Sequence, residues 1–173
     1  MTMFVSMEIR PVPKNGTEKD TLLAMLDNNR AILAWKLEGL SFEDARRPVV
    51  ESGTSLLGLV KHMAWVELWW FDDFFAGSGV DYPWSEDDPD ADFRIEDDET
   101  IESVVALYTA AVERSQRVVA DAAMDDLSVR DRKGEKFALR WVVAHMIEET
   151  ARHAGHADIA RELIDGTTGY MPS

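Results

Sequence analysis

The chain contains no cysteine, so a disulfide scaffold, a thiolate-ligated zinc site and a cysteine nucleophile are all excluded. Basic residues are scarce: 18 Lys and Arg stand against 33 Asp and Glu, for a net charge of −15. That balance argues against a nucleic-acid partner or an anionic membrane, both of which need surplus cations to neutralise phosphate. No apolar run reaches the roughly 18 residues that a membrane span requires. Strand-like alternation is nearly absent, with short candidates only at Val49–Val50 and Leu127–Arg130. Neither a Gly-rich phosphate loop nor a G-x-S-x-G elbow is present, which leaves nucleotide and serine hydrolysis without their usual hosts. Met1 to Gly16 is broken by Pro11, Pro13 and Gly16 and lacks a continuous apolar leader segment, so the expectation is a soluble, cytoplasmic protein.

What the chain does have is a core in the making: 173 residues with 46% hydrophobic content, enough for one domain. Four stretches carry helical spacing. The first spans 17–40, with Leu22, Leu26, Asn29, Leu33, Leu37 and Leu40 in register, Thr17 as N-cap and Gly39 near the end. The second spans 54–76 and stops before Gly77. The third covers 99–123, and the fourth runs over 137–165 to Gly166. These predict an all-α, antiparallel four-helix bundle over 17–166, flanked by an arm (1–16) and a tail (167–173). The long crossover between helices two and three, 77–98, is strongly acidic. Ten acids and one base, Arg94, lie between Asp81 and Glu99, so most of the net charge belongs to one connection.

The fourth helix carries the chemistry. A 3-4 seam passes through Leu139, Val142, Met146, Glu149, His153, His156, Ala160 and Leu163, apolar at both ends and polar in the middle. Glu149 and His153 are one turn apart, the separation at which two helical residues can share an ion. On the second helix, His62 lies on a stripe with Leu59, Val66 and Trp69. Two ligands from one helix and one from another can build a metal centre with open positions. The spacing equally allows His153 to be an ordinary core histidine, with Glu148 and Glu149 pairing to Arg152 along the helix.

The run "LLGLVKHMAWVE" (Leu56 to Glu67) and the later "HMIEETARHAGHADIARELIDG" (His145 to Gly166) together resemble the DinB-like metal-binding four-helix bundles. That superfamily includes bacillithiol- and mycothiol-dependent S-transferases and mycothiol-dependent maleylpyruvate isomerase. The resemblance covers about Thr17 to Gly166. It implies a divalent-metal site at His62, Glu149 and His153, with Glu149 where most relatives carry histidine and the isomerase branch carries glutamate. Zinc suits such a set, with nickel, iron or manganese as further candidates. A low-molecular-weight thiol would be the cosubstrate and a small electrophile its partner. His156 stands where many relatives have glutamine, and is assigned either to supporting the metal ligands or to proton transfer beside the thiol, its ring pointing into the bundle. The chain ends without room for the additional domain that many maleylpyruvate isomerases carry, which counts against that reaction. The alternative is a non-enzymatic metal-binding or stress-response scaffold.

Two features remain. Asp88 to Glu99 places acids at positions 1, 3, 5, 9 and 12 of a calcium loop, but Phe93 occupies the position that needs glycine. The favoured reading is a solvated crossover whose last acids sit at the start of the third helix. The dense aromatics Trp65, Trp69, Trp70, Phe71, Phe74 and Phe75 cover more than one helical face. Trp70 and Phe74 are expected in the core, and the surplus either walls a pocket beside His62, with Tyr82 and Trp84 folding back onto it, or forms a homodimer interface.

Overall fold

The structure is a computed structural model that describes residues 9–169; the first eight residues of the arm and the last four of the tail lie outside the described part. Five α-helices form it: α1 Glu18–Trp35, α2 Phe42–Arg46, α3 Leu56–Glu67, α4 Ile101–Asp121 and α5 Leu139–Asp165. Among the described residues there is no β-strand; Leu127 and Ala138 form an isolated bridge, as do Arg132 and Glu135. The all-helical expectation holds. No helix among the described residues is long and apolar enough to cross a membrane.

The first four helices start where a side chain can satisfy their first free N–H groups, whereas α5 starts at Ala138 with no side-chain cap. Thr17 accepts from the Asp20 amide, Ser55 from Gly58, and Thr100 and Ser103 form a reciprocal capping pair. The far ends are sealed across the bundle. Lys19 on α1 donates to the carbonyls of Ala120 and Ala122 at the end of α4, at 2.9 and 2.8 Å. Arg161 on α5 donates to Lys36 and Glu38 just past α1, at 2.7 and 2.8 Å. Gly166, at φ 76°, closes α5 in the left-handed conformation that favours glycine.

α1 packs on α5 and α3 on α4, with α3 also reaching α5. Leu26, Leu33, Leu37, Leu56, Leu59, Met63, Tyr108, Leu139, Val142 and Met146 fill the space between them. Inside this apolar core lies an ion pair. Arg30, on α1, grips Glu67 on α3 with two bonds of 2.7 and 2.6 Å and also reaches Asp27 at 2.8 Å. Arg30 is 2% exposed and Glu67 is fully buried.

The expected second helix changes pitch halfway. From Leu68 to Phe75 it widens into a π-helix, with the Ala76 amide bonding back to Phe71. The widened segment buries two acids, each with its own cation: Asp72 pairs with Arg114 of α4, and Asp73 with Arg130 at 2.6 Å. Its last carbonyls, Phe74 and Phe75, accept from the amides of Arg130 and Val129. The candidate strand Leu127–Arg130 thus serves as a cap for this end of the helix.

The acidic crossover is docked rather than solvated throughout. Lys61, 5% exposed, donates to the Arg94 carbonyl at 2.7 Å and to Glu99 at 2.8 Å. Gly58 makes the approach possible, because a Cβ there would sit 2.4 Å from the Phe93 carbonyl oxygen. Gly58→Ala is therefore expected to push the crossover off α3 and cost about 1–3 kcal/mol, the usual range for overpacking. Urea unfolding and amide exchange over the crossover would read this, and a variant as stable and as protected as wild type would contradict the close packing.

Candidate functional site

His62 rises from the middle of α3 and meets the crossover. Its Nδ1 lies 2.6 Å from Oδ2 of Asp92, and its ring stacks on Phe93 at 3.9 Å between centroids. Asp92 is 4% exposed. A buried carboxylate facing the ring nitrogen at this distance fixes the imidazole's orientation. The His153 ring, from α5, stands 4.9 Å away and edge-on to His62. Nδ1 of His153 is buried with no hydrogen-bond partner. Burial first, then the neighbouring His62 and His156 imidazoles, push the His153 pKa down to about 4. The ring is neutral at pH 7, the state in which imidazole can ligate.

Glu149 lies on the same flank of α5 but is turned to Arg152 at 2.8 Å, while Arg152 also holds Glu148 at 2.6 Å. The helix-surface pairing allowed by the sequence spacing is thus the one observed. Among the described residues, no three imidazole or carboxylate groups already converge as a metal site. His156 departs from its expected orientation. It is exposed, with its ring 5.6 Å from that of His153, rather than pointing into the bundle. The buried face of α5 instead runs through Met146, Thr150, Ala154, Ala157 and Ala160, while Leu163 is 59% exposed. A strict 3-4 seam drifts about 20° per heptad on a straight helix, so its later members rotate away from the core.

Beside His62 opens a cleft of about 510 Å³. His62, Asp92 and Glu149 lie along it, together with Trp69, Trp70, Trp84, Trp141, His145 and Arg132. The expected aromatic wall is present. Trp70 and Phe74 are buried, Trp69 and Trp70 face the cleft, and Trp84 returns from the crossover stacked on Tyr82. Sequence reasoning missed Asp92, Arg132 and the Trp141–His145 stack, whose rings are 5.1 Å apart and nearly parallel. Asp92 carried no distinguishing signal, being one of ten acids in an aperiodic run. The calcium-loop pattern dissolves here. Asp88 turns to Arg94, Asp92 to His62 and Glu99 to Lys61, so its acids face three different cations or rings instead of one centre.

Fold and site together define a helical bundle of the DinB-like kind, in which His62 lines an aromatic cleft and faces a second imidazole, that of His153. A family model described as Mycothiol-S-transferase matches residues 21–166, and the chain belongs to that family. Among solved structures, a conserved protein from Enterococcus faecalis is similar in fold, with a TM-score of 0.61. The two share 15% identity, and the match covers 88% of this chain and 99% of that one. No curated protein matches the chain.

Proposed function

We propose that the protein is a metal-dependent thiol S-transferase that joins a low-molecular-weight thiol of the mycothiol class to a small electrophile in the cleft beside His62. One observation carries the reading. The His62 and His153 rings face each other at 4.9 Å, one oriented by a buried carboxylate and the other holding an orphaned buried nitrogen. Two imidazoles with a carboxylate one helical turn away fit a divalent ion, and zinc suits this donor set. His62 and His153 would hold the ion, joined by Glu149 once its carboxylate leaves Arg152. When bound, such an ion lowers the pKa of a thiol, so that the thiolate is available at neutral pH.

The chain's own residues supply the rest. Trp69, Trp70 and Trp141 wall the cleft, exclude water and hold the apolar body of the electrophile. In the overall reaction the S–H bond breaks, a carbon–sulfur bond forms and the leaving group departs with the electron pair of its bond. The proton must go to a base near the facing imidazoles. His156, exposed beside His153, is suited to carry it to solvent. His156→Ala is accordingly expected to keep its metal and lose roughly a hundredfold in kcat. Metal loss as complete as in His153→Ala would make it a ligand instead.

The reading is tested by turnover of monochlorobimane with a panel of thiols, namely mycothiol, bacillithiol, glutathione and cysteine. Cobalt-substituted protein is titrated with each thiol in parallel. Turnover with mycothiol, accompanied by a sulfur-to-cobalt band, is the expected result. Absence of both with every thiol would leave a metal-binding scaffold as the better account.

A further inference from the structure

We infer that Asp92, from the acidic crossover, is the positioning residue for His62. This role rests on the metal-dependent reading above. An ionised carboxylate can only accept hydrogen bonds. At 2.6 Å from Nδ1, Asp92 therefore requires the proton of the neutral ring to sit on that nitrogen. Nε2 is then left with its lone pair free, and that lone pair is what a metal ion takes. Three further contacts make the arrangement rigid. Phe93 stacks on the face of the His62 ring at an interplanar angle of 15°. Its carbonyl lies against Gly58, one turn before His62. Lys61, the neighbour of His62, holds the crossover by the Arg94 carbonyl and by Glu99. Asp92 itself is buried, unlike most of the acids around it. A carboxylate that served only solubility would not be placed there, since burial without a partner is costly.

The consequence reaches beyond one ring. The segment that carries Asp92 also carries Trp84, Pro89 and Phe93, which line the cleft. Orienting His62 and seating that wall are the same event. By linkage, an ion that favours the oriented ring also favours the seated crossover.

The test uses full-length protein and zinc alone. In metal-free wild type, nitrogen-15 spectra taken where the ring is neutral should show His62 protonated on Nδ1. Asp92→Asn keeps an acceptor but loses the charge, and Asp92→Ala loses both. Zinc affinity, measured by competition with a chromophoric chelator, should fall tenfold to a hundredfold in the Asn variant and further in the Ala variant. Zinc should slow amide exchange over residues 89–95 in wild type and less so in the variants. A purely structural acid would change basal exchange without shifting the tautomer. His62 protonated on Nε2 in wild type overturns the proposal, as does equal zinc affinity in all three proteins. Failure of wild type to bind zinc at all overturns the transferase reading and this role together, whereas equal affinity overturns this role alone.

Discussion

His153→Ala should lose its divalent ion and, with it, transferase activity. The substitution removes one of the two imidazoles that face each other beside the cleft. Of the three residues assigned to the ion, it leaves His62 and the surface-turned Glu149. A free thiol with a pKa near 8.5 is only a few per cent thiolate at pH 7, so losing the activation alone costs about thirtyfold in kcat/KM. Losing the fixed position of the sulfur adds to this, and a total of roughly a thousandfold is expected. Helical content by circular dichroism should stay unchanged, since His153 is only half-buried on the flank of α5. Metal analysis of untagged protein decides the matter: equal metal content in wild type and variant would sink the assignment.

The largest effect on stability is expected at Glu67. Burial works against the charge on Arg30, but the two-pronged contact with Glu67 outweighs it and holds the guanidinium above its ordinary pKa. Glu67→Ala leaves that charge in the core with only Asp27, which is itself partly exposed. An uncompensated buried charge costs about 3–5 kcal/mol, which for a domain of this size lowers Tm by about 10 °C. The adjacent Tyr108 hydroxyl, buried and without a hydrogen-bond partner, offers no relief. The double variant Arg30→Met, Glu67→Leu removes both charges and should recover most of the loss, because a buried pair can often be replaced by apolar groups. Urea unfolding of the two variants separates these outcomes; a single variant within 1 kcal/mol of wild type, on the order of a surface change, would mean that water reaches the pair.

Helix positions were legible because spacing and caps act locally. Thr17 and Gly166 mark the ends of the first and last long helices as their sequence suggests. Features set by distant partners were not legible. On α1 the buried position between Leu26 and Leu33 is Arg30, not Asn29, and only its partner on α3 makes that tolerable. The π-helical turn has no periodic signature, since it depends on Arg114 and Arg130 arriving at Asp72 and Asp73. His62 and His153, whose rings come together in the structure, drew attention in the sequence because histidines beside an apolar face are conspicuous. Asp92 did not, because one acid among ten is marked only by the ring it meets. On α5 the small residues Thr150, Ala154 and Ala157 took the buried face, allowing close helix packing that a count of large apolar residues overlooks.

The cations that close the helix ends bear on how the molecule comes apart. The first turn of α1 holds the last carbonyls of α4 through Lys19, while α5 holds the chain just past α1 through Arg161. Lys36, also past α1 and almost fully buried, reaches Asp158 on α5 at 2.6 Å. Fraying of any one of these helices therefore strips hydrogen bonds from another that is distant in the chain. Independent opening, helix by helix, is penalised. Sub-global unfolding units become coupled, and the bundle is driven towards all-or-none loss of structure, in which the end turns of α1 and α4 exchange their amides together.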